Sequence, residues 1–280
     1  MGDVRKNNAP MAILMYTVVI IFAVLAIYPV FWVVIQSFKS TQEYMTTSKL
    51  AFPKIWFAKN YPIAWENAKF GILMINSIFY TVVTTASVIL LSFMAGFAFA
   101  KLPSKLTPIL HGSFIIGILL TLQSILVPLY LMINAAGLYN TRLGVLIPYI
   151  GIGLPIGIYL STEYIKSIPN ELIESARIDG AKYLRIFASI ILPIAAPVAT
   201  TVGIISFSGT WNEFMLINIL VSKTELKSLP VGISQFSGAR ASDFGKQFSA
   251  LVIGMVPMII FYLIFRKQIT KGVAAGAVKG

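Results

Sequence analysis

The sequence predicts an all-α polytopic membrane protein with six transmembrane helices and a short helix in the loop between the fourth and fifth. Of the 280 residues, 57% are hydrophobic and only 11% are charged, so the chain carries more apolar surface than one water-soluble core can bury. Six windows of roughly 20 to 27 residues are almost free of charge, which is long enough for helices to cross about 30 Å of hydrocarbon. No alternating ten-residue strand pattern recurs between them, which argues against a barrel.

The predicted spans are apolar runs bounded by polar residues. In chain order they cover residues 11–36, 72–100, 109–133, 143–161, 194–221 and 248–265. The first run is too long for the short apolar core of a signal peptide and lacks a small-residue cleavage site, so we expect it to remain as a span. No internal repeat or separate soluble segment interrupts the series. We therefore predict one transmembrane domain over residues 1–280.

Basic residues divide almost evenly between the two sides of this topology. An even number of spans places both termini on the same side, and Lys and Arg are slightly in excess there. Because cytoplasmic loops are enriched in Lys and Arg, the excess favours cytoplasmic termini. The net charge of +12 is scattered among the ends of apolar segments. We interpret it as anchoring in the lipid bilayer and not as a nucleic-acid surface.

The sequence lacks the motifs of several kinds of catalytic site. It contains no cysteine, which excludes disulfides and thiol chemistry. It also has no Gly-rich phosphate loop ending in Gly-Lys-Ser/Thr, no metal-binding histidine pair and no nucleophile elbow. We therefore expect no catalytic residue, no metal site and no ATP hydrolysis by this chain itself.

Residues 162–193, between the fourth and fifth spans, form a polar and amphipathic loop in an otherwise apolar chain. Ser167 is a candidate N-cap for a short helix, and Glu171 and Glu174 would lie near its positive N-terminal end. Ile168, Leu172 and Ala176 would share its apolar face. This pattern by itself is also typical of a helix that lies on the membrane surface.

Gly180 is predicted to end that helix, because glycine readily adopts the left-handed conformation of a helix C-terminus. A second helical stretch is expected over residues 182–191, with Pro193 breaking it. The predicted shape of the loop is a helix, a glycine corner and a second helix.

Seven positions of this loop follow a recognisable spacing: Glu174, Ser175, Ala176, Gly180, Ile190, Leu192 and Pro193. They resemble the signature loop of permease subunits in bacterial binding-protein-dependent ABC importers, which reads Glu, Ala, Ala, three residues, Gly, nine residues, Ile, one residue, Leu, Pro. The single departure is serine for the central alanine, and both residues are small. Trp211-Asn212-Glu213-Phe214, the Asp-Gly-Ala sequence at 179–181 and the C-terminal Gly276-Ala-Val-Lys-Gly280 are similar to the maltose-type carbohydrate branch, in particular to its smaller permease subunit.

This resemblance implies the fold of a type I ABC importer permease in a bacterial inner membrane. The loop is then implied to be a cytoplasmic coupling helix that contacts an ATPase, through Glu171, Glu174, Ser175, Ala176, Asp179 and Gly180. The implied partners are a second homologous permease, two ATP-binding subunits and an external sugar-binding protein, which the loop 222–247 would face. ATP and magnesium would bind to the ATPase subunits, and this chain would bind no cofactor. The implied cargo is a di- or oligosaccharide.

Glu213 is predicted to lie inside the fifth span, where an isolated charge is costly. One interpretation makes Trp211, Asn212 and Glu213 part of the substrate path, with the indole as a stacking surface for a sugar and the amide as a hydrogen-bond donor. The competing interpretation is that they pack two permease subunits together or lie at the outer interface.

Two alternative functions are consistent with parts of the pattern. The first is an ABC permease for another small solute such as glycerol phosphate, although the predicted spans contain no Lys or Arg to attract an anion. The second is an ion-coupled secondary transporter, which would normally carry several carboxylates within its spans.

Overall fold

The computed structural model describes residues 9–67, 69–102, 104–236 and 243–277. All regular structure in these ranges is helical, which confirms the predicted all-α class. Arg5, Lys6, Arg240 and the final Val278-Lys279-Gly280 of the C-terminal motif lie outside them. The helices are α1 (Ala9–Gln36), α2 (Thr41–Thr46), α3 (Asn60–Asn67), α4 (Phe70–Lys101), α5 (Thr107–Ile118), α6 (Leu122–Ala135), α7 (Arg142–Lys166), α8 (Glu171–Ile178), α9 (Tyr183–Ile186), α10 (Leu192–Ile194), α11 (Ala196–Asn212), α12 (Met215–Leu220), α13 (Leu229–Ser234) and α14 (Phe244–Ala277).

Four helices are long and apolar enough to cross a membrane: α1, α4, α7 and α14. Two further helix pairs satisfy the same test when each is taken together, but both are bent. The bend is 110° between α5 and α6, and 79° between the segment Tyr183–Ile194 and α11. Counting each bent pair as one span gives six.

The apolar surface of α1 is not covered by the part of the chain that the structure describes. None of its most hydrophobic stretch is buried, and side chains from Met11 to Phe31 are exposed. Exposing an apolar surface of this extent to water is energetically unfavourable. This helix therefore requires lipid or a partner helix as its surroundings.

The predicted third span is interrupted where α5 ends. Thr121 has extended backbone and precedes α6, and its hydroxyl lies 2.8 Å from that of Ser124. The apolar composition continues through the bend without a glycine or proline at 119–121. For that reason hydropathy alone predicts one continuous helix here.

The chain forms two compact units. The first comprises residues up to Phe70 together with Ile233–Val256. Its buried polar centre is Asn60, whose amide donates to the carbonyl oxygens of Ser37 and Lys39, both at 2.8 Å. Ser249 donates to the same Ser37 carbonyl at 3.1 Å. These bonds join α3 and α14 to the segment that follows α1.

Asp243 fixes the start of α14 within this unit. Its carboxylate accepts from the Thr41 hydroxyl at 2.5 Å and pairs with Lys246 at 2.5 Å. Burial acts to raise the pKa of Asp243, but the hydrogen bonds from Lys246 and Thr41 outweigh it and hold the pKa below its usual value. The group is therefore ionised at neutral pH.

The second unit comprises Gly71–Gly232 and the residues from Pro257 onward. Its α4 and α7 pack through small residues, and Ser161 donates to the Ser92 carbonyl at 2.8 Å. A Cβ atom on Gly157 would lie 2.9 Å from the Cβ of Ser92, and one on Gly96 would lie 2.9 Å from the Cβ of Ser161. Gly151, on the same helix as Gly157, has no neighbour within 4 Å of its Cβ position. Glycine thus sets the helix separation at Gly96 and Gly157 but not at Gly151.

Two apolar clusters lie at opposite ends of the α4–α7 pair. One includes Tyr80 and Tyr149, together with Leu216 and Leu220 of α12. The other is the inner cluster, defined here by its buried members Val88, Phe93, Phe97, Ile165, Ile168, Ile173, Ile186, Phe187, Ile191, Ala195 and Val202. It joins α4 and α7 to the polar loop.

Candidate functional site

A short helix, α8, is present where the polar loop is predicted, but it begins later than expected. Ser167 is not its N-cap. That residue is the C-cap of α7, and its hydroxyl donates to the Tyr164 carbonyl at 2.7 Å. Asn170 occupies the N-cap position of α8 without a capping side-chain bond. The reason is that α7 continues to Lys166, beyond the predicted end of the fourth span, and uses Ser167 for its own terminus.

The buried face of α8 is centred on Ile173. Ile173 and Ile168 are members of the inner cluster, and Ala176 packs against it. Leu172, which the pattern places on the packed face, is 44% exposed. Residues three apart and residues four apart both lie on one side of a helix. In α8 the packed pair is Ile173 and Ala176, which are three residues apart.

The glycine corner predicted after α8 is present. Gly180 has φ +79°, and its N–H donates to the Arg177 carbonyl at 3.0 Å. The next N–H, that of Ala181, reaches back to the Ala176 carbonyl at 2.9 Å. This pair of bonds is the Schellman arrangement, in which a left-handed residue closes the helix C-terminus. The chain reverses here into α9.

The second helix of the loop differs from the prediction at Pro193. The chain passes from α9 through a π-helical turn, Phe187–Ile191, into α10, which contains Pro193. The Leu192 N–H bonds to the Phe187 carbonyl, five residues back. The bend comes afterwards, at Ala195. The π turn ends two residues before Pro193, which has no backbone N–H to donate.

The predicted coupling residues point mostly to solvent. Glu171, Glu174, Ser175 and Asp179 are exposed, and so is Gly180. Only Ala176 is partly buried. The structure therefore gathers five of the six predicted residues on one free surface of α8 and its corner.

Sequence reasoning missed two apolar residues on the same surface. Ile178 is 87% exposed and Leu184 is 74% exposed, on the two sides of the glycine corner. The sequence did contain a signal for them, because both are large apolar residues of a polar loop that lie outside the face predicted to pack against the spans. They give the loop surface an apolar centre beside its carboxylates.

Lys101 is a third residue that sequence reasoning did not single out. It ends α4, and its ammonium group donates to the Ile168 carbonyl at 2.6 Å and to the Asn170 side-chain oxygen at 2.7 Å. Both acceptors lie in the connection between α7 and α8. Lys101 therefore ties the end of α4 directly to the start of the loop helix.

The fifth predicted span is broken at Glu213. This residue has extended backbone between α11 and α12. Its carboxylate accepts the N–H groups of Leu216 at 2.6 Å and Ile217 at 3.2 Å, and the Tyr149 hydroxyl at 2.7 Å. The side chain thus caps the positive end of α12 and bonds to α7, which compensates for placing a carboxylate within a span.

The neighbours of Glu213 are placed differently. Trp211 is buried and stacks on Phe207, with ring centroids 6.0 Å apart, so neither face of its indole is free within the chain. Asn212 is exposed, and its amide donates to the Ser208 carbonyl at 2.9 Å. Of the three predicted substrate-path residues, Glu213 lines a cavity of the second unit to which Trp211 and Asn212 do not contribute.

That cavity has a volume of about 270 Å³. Most of its wall is apolar. Tyr149 of α7 supplies one polar group, and Ser206 and Thr210 of α11 supply two more. The fourth is Glu213, which directly follows α11. The complete lining is Val88, Leu122, Tyr149, Ile152, Gly153, Ile156, Val202, Ile205, Ser206, Gly209, Thr210 and Glu213.

Known proteins resemble this chain over nearly its whole length. The family described as "Binding-protein-dependent transport system inner membrane component" matches residues 5–274. The diacetylchitobiose uptake system permease protein of Streptomyces coelicolor is 30% identical, covering 97% of this chain and 90% of that protein. The trehalose transport system permease protein of Mycobacterium tuberculosis is 32% identical, covering 91% and 93%.

A solved structure shares the fold. It is a chain of a bacterial ABC transporter involved in the import of the acidic polysaccharide alginate. The TM-score is 0.81 at 22% sequence identity, and the match covers 95% of this chain and 99% of that chain. The permease fold predicted from the signature loop is confirmed.

Proposed function

Because this chain belongs to the family of inner membrane components of binding-protein-dependent transport systems, we propose that it is the permease subunit of an ATP-driven importer of neutral sugars. The observation that carries the proposal is the family match over residues 5–274, which includes every predicted span. Relatives that share about a third of its residues are named for the uptake of diacetylchitobiose and trehalose. The proposed cargo is accordingly a di- or oligosaccharide.

In this proposal the chain supplies half of the translocation pathway and does not hydrolyse ATP. A second homologous permease supplies the other half. Two ATPase subunits bind ATP and magnesium, and an external sugar-binding protein delivers the cargo. Both termini lie in the cytoplasm, which places α8 on the cytoplasmic side as well.

The surface of α8 is suited to such a contact. Glu174 and Asp179 can pair with basic residues of an ATPase, and the exposed Ile178 can enter an apolar recess beside them. Movement of α8 would pass through Ile173 into the inner cluster, and from there into α4 and α7. Closure of the ATPase pair thereby shifts the spans between outward-facing and inward-facing arrangements.

The alternative functions have less support. An anionic cargo such as glycerol phosphate needs cationic groups along its path. No Lys, Arg or His lines the cavity to which Glu213 contributes. An ion-coupled transporter would need a carboxylate free to exchange its ion. The Glu213 carboxylate is instead occupied by two backbone N–H groups and the Tyr149 hydroxyl.

A cysteine crosslink tests the ATPase contact, because the chain has no native cysteine to give a background. We expect a Ser175→Cys variant, treated with a bifunctional thiol reagent in membranes, to capture an ATPase subunit. The matched control is Ala51→Cys, an exposed residue far along the sequence from α8. Capture of the ATPase by the control and not by Ser175→Cys would refute the proposed orientation.

Uptake by the reconstituted transporter tests the cargo. We expect ATP-dependent accumulation of at least one labelled disaccharide in vesicles that contain both permeases, the ATPase and the binding protein. Uptake of glycerol phosphate with no uptake of any saccharide would overturn the sugar assignment and leave the permease assignment intact.

Replacing Lys101 with methionine is expected to weaken coupling. The variant keeps the aliphatic length of the side chain but loses the charged bonds to Ile168 and Asn170, so the polar tie between the end of α4 and the start of the loop helix is lost. A charge-assisted hydrogen bond is worth about 1.5 to 3 kcal/mol, so sugar moved per ATP hydrolysed should fall roughly tenfold. The ratio is measured in proteoliposomes. Lys101→Arg should retain most of it, and an unchanged ratio in Lys101→Met would remove this residue from the coupling path.

A further inference from the structure

The hydroxyl of Ser206 is a buried polar group without a partner among the described residues. Its side chain lies on α11, the residue is 9% exposed, and its oxygen accepts or donates no hydrogen bond there. Two other hydroxyls of α11 bond back to the helix: Thr200 donates to the Ala196 carbonyl at 3.0 Å and Thr201 to the Pro197 carbonyl at 3.3 Å. Leaving a buried hydroxyl unpaired is unfavourable, because the group loses its hydrogen bonds to water. The hydroxyl is therefore available to a molecule in the cavity that Ser206 lines.

Ser206 borders the cavity described above, and it does not do so alone. Thr210 lies four residues later on the same face of α11, and Glu213 follows three residues after that. Tyr149 approaches from α7 and donates to Glu213. Four oxygen-bearing side chains thus face one cavity whose remaining wall is aliphatic.

The chemistry of these groups selects a type of ligand. Ser206 and Thr210 can each donate and accept one hydrogen bond or more, as a sugar hydroxyl can. Glu213 has accepted three donors, and a carboxylate has about four lone-pair positions, so it retains capacity to accept one further hydroxyl. An anionic group would meet this carboxylate with no Lys, Arg or His in the lining to offset the repulsion. The aliphatic wall suits the C–H faces of a ring.

The cavity is also small. Its volume of about 270 Å³ lies just below the range of about 300 to 1,000 Å³ that is usual for sites of drug-sized ligands. A single sugar ring fits such a space better than an entire oligosaccharide does.

We propose that this cavity is a cargo subsite within this subunit, in which Ser206, Thr210 and Glu213 bind the hydroxyls of one ring of a neutral saccharide. The inference rests on the proposed function, and it adds two specificity-determining residues that the quoted motifs do not contain, Ser206 and Thr210. Trp211 and Asn212 have no part in the subsite, because neither lines the cavity. The subsite would be selective for unmodified hydroxyls and against charged sugars.

Ser206→Ala gives a sharp test, because the hydroxyl makes no bond that supports the fold. If the role of Ser206 is only structural, its removal should leave the fold as stable as before or slightly more stable, and it should leave transport unchanged. If the hydroxyl binds cargo, uptake should weaken although stability does not. The expected result is a rise of about 3- to 10-fold in the sugar concentration that gives half-maximal uptake, the loss expected for one hydrogen bond. Thr210→Val, which keeps the side-chain shape, should act in the same direction.

The measurement uses the complete reconstituted transporter with labelled trehalose, melibiose, raffinose and diacetylchitobiose as probes. Ser208→Ala is the matched control, since it removes a hydroxyl from the same helix at a position that does not line the cavity. Thermal unfolding of each purified complex is recorded alongside. If Ser206→Ala and Thr210→Val both take up sugar as well as the wild type does, with the same half-saturation concentration, the subsite alone is overturned. Failure of the wild type to take up any of the four sugars would overturn the sugar assignment, and the subsite with it.

Discussion

Sugar uptake is expected to be lost when Gly180 is replaced with valine, although the transporter still inserts and assembles. Gly180 has φ +79°, and its Cβ position is free of neighbours within 4 Å. The effect is therefore conformational and not steric crowding by other residues. A left-handed conformation costs an L-residue about 1 to 2 kcal/mol, and a β-branched residue resists it further. Relief of this strain would open the Schellman bonds and turn α8 away from the ATPase that we propose it contacts.

The measurement combines two readouts on the same preparation. ATP-driven uptake in proteoliposomes should fall at least tenfold, and stimulation of the ATPase by the loaded binding protein should fall with it. Gly180→Asn is the matched control, because asparagine tolerates the left-handed region better than other non-glycine residues, and it should retain most activity. Normal uptake by Gly180→Val would show that the corner has no part in coupling.

The second large effect is expected in the membrane bundle, from replacing Gly157 with leucine. Gly157 is buried where α7 meets α4, and a Cβ atom there would lie 2.9 Å from the Cβ of Ser92. Both atoms belong to helices that are held together by the bond from Ser161 to the Ser92 carbonyl. The larger side chain must push the helices apart. Overpacking of this kind destabilises a fold by about 1 to 3 kcal/mol and sometimes more.

Thermal stability of the detergent-solubilised subunit reports this effect through the loss of the monodisperse peak in size-exclusion chromatography. Gly151→Leu supplies the control within the same helix, because nothing lies within 4 Å of its Cβ position. We expect Gly157→Leu to melt at a clearly lower temperature and to accumulate poorly in the membrane, and Gly151→Leu to resemble the unmodified chain. Equal melting temperatures for the two variants would contradict the packing described between α4 and α7.

The parts of the fold that were predictable are those that depend on local chemistry. The span from Met11 to Gln36 follows from an uninterrupted apolar run, and the corner at Gly180 follows from the backbone freedom of glycine beside a short helix. The signature spacing around Glu174 identified the family, because it is a pattern along the chain. None of these inferences needs to know which helices meet.

Other features could not be predicted from a local pattern. Ser167 is a good N-cap by residue type, yet it terminates α7 because that helix extends further than its apolar run. Ile173 is buried and Leu172 is not, because the inner cluster packs against the side of α8 that carries Ile173. The roles of Lys101 and Tyr149 depend on residues more than 60 positions away.

By itself the sequence determined that this protein crosses a membrane repeatedly, that a polar helix and a glycine corner interrupt the spans, and to which family it belongs. Only the tertiary structure decided that Trp211 is buried, that Glu213 caps α12, and that Ser206 faces a cavity without a partner. The physical reason is that hydropathy and backbone preference belong to each segment alone. Burial, hydrogen-bond partners and cavities arise only where separate segments pack against one another.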